Sequence, residues 1–118
     1  MRPDAEIAGL LWDACEFARN VGVAIGDTSR ETYLEGGPVT WATERQIELI
    51  GEVLNKLRQA DPELAERIPN VHRIIGMRNV LIHGYLVIND LIVWQAATEA
   101  VPELLPVLEA LLDEFSAD

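Results

Sequence analysis

Apolar residues recur along most of this chain at steps of three and four, the spacing that lines one side of an α-helix. Ile7, Leu10, Leu11, Ala14, Phe17, Ala18, Val21 and Ile25 form the first stripe, with Asp13, Glu16, Arg19 and Asn20 between them. The pattern predicts an amphipathic helix of about twenty residues. A second stripe, Ile47, Ile50, Val53, Leu54 and Leu57, predicts a helix ending near Ala60, with Thr40 and Thr43-Glu44 offering its N-terminal cap. Asp61-Pro62-Glu63 reads as a cap followed by proline at the first helical position, hence a short helical turn to about Arg67. Beyond Pro69, the residues Val71, Ile74, Ile75, Arg78, Leu81, Ile82 and Tyr85 keep a helical period, which puts an arginine at the interior or its edge. Gly84 weakens that helix, so His83 and Tyr85 are expected at its last turn or just past it.

The final stripe is the most regular: Trp94, Ala97, Val101, Leu104, Leu108, Leu111 and Phe115 follow at steps of 3, 4, 3, 4, 3, 4. Its phase survives Pro102 and Pro106, so one helix is predicted, kinked near Thr98 and Glu99 where the pyrrolidine ring excludes a backbone hydrogen bond. Residues 26–40 break the period, carry several glycines and read as a surface connection, long for a helical bundle. The expected fold is all-α, an up-and-down bundle of four main helices plus a short one, forming a single domain over residues 1–118.

Composition agrees with a soluble globular chain: 118 residues, 49% hydrophobic and 25% charged. No run approaches the roughly eighteen apolar residues of a membrane span, and Met-Arg-Pro-Asp lacks the apolar stretch of a signal peptide, so a cytoplasmic location is expected. Cys15, the single cysteine, lies in the first apolar stripe and reads as an inert buried thiol. Trp12, Trp41 and Trp94 read as core or subunit-interface anchors, and Glu44, Glu48 and Glu52 as a solvent-facing row.

Charge changes the picture more. The net charge of −11 opposes non-specific binding to nucleic acid, whose affinity comes largely from neutralised phosphates. Yet the charge is unevenly spread: residues 1–66 sum to −7, residues 67–89 to +3 and residues 90–118 to −7. From Arg67 to Asn89 there are three arginines, both histidines and no carboxylate. One short segment is thus prepared for an anion. Arginine offers a rigid bidentate fork for phosphate and stays protonated, while imidazole can take a proton from a ribose 2′-hydroxyl or give one to a leaving 5′-oxygen. The candidate catalytic pair is Arg78 and His83, with Asn79 as an auxiliary group placed one helical turn before His83, and His72 and Arg73 as possible RNA contacts. No metal-ligand cluster is apparent, since the two histidines stand apart from any nearby cysteine or carboxylate, and no cofactor is expected. Arg78 and His83 differ by five positions, roughly 140° around an ideal helix. Three arrangements could join them: the helix ends before His83, the arginine reaches around, or the pocket lies between two copies of the chain.

The string Arg78-Asn79-Val80-Leu81-Ile82-His83-Gly84-Tyr85 resembles the signature of HEPN-domain proteins, an arginine followed after four to six residues by histidine, any residue and tyrosine, and specifically that of HepT-like toxins. The run from Thr43 to Glu52 resembles the family's second-helix pattern, Ile74-Ile75-Gly76-Met77 resembles the lead-in to the motif, and Val93-Trp94 falls where a family tryptophan is common. The resemblance implies an all-α homodimer that acts as a metal-independent ribonuclease toxin, with Arg78 and His83 at the dimer cleft. It also implies a partner, a minimal nucleotidyltransferase antitoxin, which can add AMP to the motif tyrosine, here Tyr85. Adenylylation would place negatively charged phosphodiesters beside the groove that must accept RNA phosphate. The acidic balance and the single lysine, Lys56, keep a second reading open, a non-catalytic helical module that binds a nucleotide or a nucleotidyltransferase.

Overall fold

The computed structural model describes residues 3–84, 86 and 88–116, and every regular element in it is helical. The first stripe becomes α1 (Pro3–Ile25), and the second becomes α3 (Pro38–Ala60). Between them lies α2 (Arg30–Leu34), and beyond α3 come α4 (Pro62–Ala65) and α5 (Val71–His83). The chain closes with α6 (Asp90–Gln95), a π-helical turn (Ala96–Ala100) and α7 (Val101–Ser116), which follow one another without a break. α3 packs on α1 to one side and α5 to the other, and α7 packs on α1. α5 is therefore an outer member of the bundle.

The buried positions are those the periodicity names. Ile7, Leu11, Ala14, Ala18 and Val21 of α1 meet Ile47, Ile50, Leu54 and Leu57 of α3, while Leu104, Leu108 and Leu111 of α7 close the same core. Cys15 is fully buried among them, and burial, partly offset by Arg19, pushes its thiol up from the ordinary range. The continuous helix 90–116 is long and apolar enough to cross a membrane by length and composition alone. Its apolar stripe is spent on α1 and the core, which is how a bundle helix uses such a sequence.

Two expectations need correction. Residues 26–40 are no open connection: Ser29 caps α2 by accepting from the Thr32 N–H at 3.1 Å, and Tyr33 is completely buried with its ring 5.3 Å from that of Trp94. Thr40 is no cap either, because α3 starts two residues earlier, with Gly37 in the cap position (φ 111°) and Pro38 in the first turn. Thr40 instead lies buried and donates its hydroxyl to the Tyr33 carbonyl at 2.7 Å, tying α2 to α3. A hydroxyl that can satisfy a carbonyl inside a helix looks, in sequence, the same as one that caps its start.

The last helix is the single element expected, and its irregularity spans Thr98 and Glu99. The helix runs through Pro102 and Pro106, and its departure from α geometry is the π turn at Ala96–Ala100, closed by the Val101 N–H on the Ala96 carbonyl. A wider turn absorbs the donor that Pro102 cannot supply. Of the tryptophans, Trp94 packs on the core, while Trp12 and Trp41 are 57% and 67% exposed, so for these two only the subunit-interface reading is left. The Asp61 cap stands as expected, accepting from the Leu64 N–H at 3.1 Å ahead of Pro62.

Candidate active site

α5 begins after Asn70, which takes the left-handed conformation (φ 63°), and it runs through His83 before ending at Gly84. Because His83 is inside the helix, the arrangement in which the helix stops short and turns it back does not occur. Val71, Ile74, Ile75 and Met77 face the core. The opposite side carries His72, Gly76, Asn79 and His83, all exposed, at the four- and three-residue steps of a straight stripe along the helix.

Arg78 springs from the core side, its Cβ against the α3 backbone at Gly51. It is only partly exposed, and its Nε is buried with no hydrogen-bond partner. Its Nη1 donates to Asn79 Oδ1 at 3.0 Å. On an ideal helix Asn79 lies about 100° from Arg78 and His83 about 140° in the same direction. The guanidinium is thus drawn toward the flank that bears His83, which favours the arrangement in which the arginine reaches around. With Nε enclosed, the groups left for an anion are those of the Nη end. Asn79, the auxiliary group one turn before His83, is the partner of Arg78. An asparagine one residue away from a long guanidinium competes for it more readily than sequence spacing alone suggests.

The remaining cations of this segment differ in what holds them. Arg67 is engaged by Glu114 of α7 in a two-pronged pair, at 2.7 and 3.3 Å, and His72 pairs with Glu66 just beyond α4. The absence of acids within residues 67–89 therefore does not carry over to space at that end of the helix. Arg73 and Arg78 have no carboxylate within ion-pair distance among the described residues, so the anion-ready part of the patch narrows to Arg73, Arg78 and His83. Tyr85 lies outside the described residues.

Alongside the stripe runs a cavity of about 370 Å³, lined mainly by Met77, Val80, Leu81, Ile88, Ile92 and Val93, with Arg73 at its polar edge. Val80 and Ile92 on its wall are 43% and 49% exposed, and Leu86 is 85% exposed. Among the described residues no three His, Cys, Asp or Glu side chains stand close enough to hold a metal ion.

Two features of the site's support were not foreseen. Gly51 of α3 lies directly under Arg78, and its buried position has no room for a side chain. The available signal was a glycine in the middle of a long helix, a costly choice without a packing reason. Glu44, expected in a solvent-facing row, is partly buried beside Asp90 at the start of α6. Burial first, then the charge of Asp90 and a hydrogen bond shared with it, hold the Glu44 carboxyl above the usual carboxylate range. Tyr33 joins this knot: burial, with Glu44 and Asp90 adding to it, pushes its phenol well above the ordinary range, and its hydroxyl is buried without a partner. Glu48 and Glu52 lie nearer the surface, paired with Arg45 at 2.7 Å and with Lys56 at 3.9 Å.

Comparison with known proteins bears on this geometry directly. The model of the ribonuclease HepT-like family matches residues 14–111, a span that includes the whole of α5 and the groove beside it. The chain belongs to the HepT-like ribonuclease family. Two proteins of Methanocaldococcus jannaschii, each provisionally named an RNase, are similar to it. One is 29% identical over 84% of this chain and 90% of its own, the other 25% identical over 96% and 93%. A third, from Caldanaerobacter subterraneus subsp. tengcongensis and named in the same way, is 34% identical over 76% of this chain and 77% of its own. No solved structure matches the chain. Membership of the HepT-like family and the names of these relatives support a ribonuclease.

Proposed function

We propose that this protein is a metal-independent endoribonuclease that acts as a homodimer and serves as the toxin of a toxin–antitoxin pair. The observation that carries the reading is the Arg78 head group, free of carboxylates and held by Asn79 toward the His83 side of α5. In the reaction, the 2′-oxygen attacks the adjacent phosphorus while an imidazole accepts the 2′-hydroxyl proton. The phosphorus–5′-oxygen bond breaks, leaving a 2′,3′-cyclic phosphate and a 5′-oxygen that takes up a proton from an imidazolium. The Arg78 guanidinium stabilises the charge that gathers on the phosphoryl oxygens.

A second copy supplies what one chain lacks. Each protomer has His72 and His83 on the site face, but His72 is held by Glu66 and leaves only His83, whereas the reaction uses one base and one acid. The apolar groove and the exposed Val80, Leu86 and Ile92 beside the stripe are suited to burial against a second copy, which would bring two such stripes face to face about a twofold axis. Control by a minimal nucleotidyltransferase antitoxin, through AMP addition at Tyr85, through occlusion, or through both, follows from the family resemblance and belongs to the same proposal.

The test is cleavage of RNA by the purified protein in EDTA, with the new 3′ ends identified by mass. Retained cleavage giving cyclic phosphate, lost in both Arg78→Ala and His83→Ala proteins that remain folded, is the expected result. Folded protein that neither cuts RNA nor arrests growth when expressed alone would favour the non-catalytic binding module. Intact mass after co-expression with the nucleotidyltransferase reports AMP addition, expected at Tyr85 and absent in Tyr85→Phe.

A further inference from the structure

α5 crosses α3 at Gly51, and the approach is closer than any side chain at that position allows. A Cβ built on Gly51 would stand 2.3 Å from Cβ of Arg78, 2.9 Å from the carbonyl oxygen of Ile74 and 3.1 Å from Cγ of Arg78. Two of these three atoms cannot swing away, because one is backbone and the other is fixed to it. The other helical glycines, Gly9, Gly22 and Gly76, have open space where a Cβ would go. Packing therefore requires glycine at position 51 and at none of those three.

The atoms that occupy the space are the first two carbons of the Arg78 side chain. Arginine has long, freely turning stems, and a guanidinium on such a stem is normally spread over many positions. Here the stem is pressed onto the α3 backbone, the Nε above it is enclosed, and only the Nη end emerges toward Asn79. We propose that Gly51 is a positioning residue for Arg78. Its missing side chain lets α3 grip the arginine's stem, so that the head group is presented from one fixed place on the α5 face to a phosphodiester. The kinetic part of this proposal rests on the ribonuclease reading, whereas the grip itself does not.

Gly51→Ala is the test, with Gly76→Ala as its control. The Nε–H of Arg78, identified in nitrogen–proton spectra by its disappearance in Arg78→Lys, is enclosed and should exchange slowly with water. In Gly51→Ala that exchange should be faster by about ten-fold or more, and in Gly76→Ala unchanged. The unfolding midpoint should fall in Gly51→Ala and hold or rise in Gly76→Ala. With RNA, Gly51→Ala should lower kcat by about a hundred-fold while KM moves little, and in an Arg78→Lys background the same substitution should change kcat hardly at all. Should Gly51→Ala not fold, Arg78→Met and Arg78→Ala decide the matter, since a gripped stem predicts a kept midpoint for the first and a lowered one for the second. Unchanged Nε–H exchange, wild-type kcat in Gly51→Ala, or equal midpoints for those two Arg78 variants would each overturn the proposal. If the wild-type protein cuts no RNA, the ribonuclease reading falls, and the exchange and midpoint measurements still decide the role of Gly51.

Discussion

Arg78 is divided along its own length: a hydrocarbon stem takes part in helix packing while the charge stays in reach of water. Truncation therefore removes two things. We expect Arg78→Ala to lower the rate of RNA cleavage by about 10²–10³-fold, the cost of losing one preorganised donor to a transition state. Arg78→Lys should keep the charge and recover little of the rate, because an ammonium cannot present paired donors at the Nη position. Glu44 allows a prediction that does not depend on the activity. Its folded-state carboxyl titrates above the usual range, so between that range and the raised value the native protein holds more protons than the unfolded chain. Stability then falls as pH rises through that window and stays lowered toward neutrality. Glu44→Gln should raise the unfolding midpoint at pH 7, with the gain shrinking as pH falls below the ordinary glutamate range, as a thermal-denaturation series across pH would report.

At the level of elements, the faces of α1, α3, α5 and α7 were legible because each buries a continuous stripe against its neighbours, and a period of 3.6 survives exceptions at single positions. The Asp61-Pro62 start was legible for a similar reason, as both residues act on the backbone beside them. What escaped depends on partners distant in the chain. α2 spans only Arg30–Leu34 and owes its place to Tyr33 against Trp94 and to Thr40 reaching back, contacts that no local pattern announces. Arg78 and His83 were candidates from their motif and Asn79 is the neighbour of Arg78 in the chain, but Gly51 as the floor beneath Arg78 belongs to the crossing of two helices. The α2 knot makes its own prediction. A buried hydroxyl without a partner costs stability, so Tyr33→Phe should leave the fold intact and stabilise it by up to about 1 kcal/mol in urea titration. Asp61→Ala, by removing a working cap, should cost about 1 kcal/mol on the same assay.

The whole molecule sets an open apolar surface next to its most cationic segment, at the outer helix of the bundle. If that surface joins two copies, a carboxylate introduced into it should separate them. Val80→Glu combined with Ile92→Glu should bring the mass in solution from twice 13.1 kDa to 13.1 kDa by sedimentation or light scattering, and cleavage should fail with the dimer. The charge map has an equally measurable side. With Arg67 committed to Glu114 and His72 to Glu66, each protomer can neutralise about two phosphates, so log affinity for single-stranded RNA should fall with log salt at a slope of about −1.4 per protomer. A protein with so short a grip, set in a field of negative charge, has no track along which to follow a strand. It can sample only the few nucleotides on either side of the cut, and its choice among transcripts would then fall to their folding and to what else covers them.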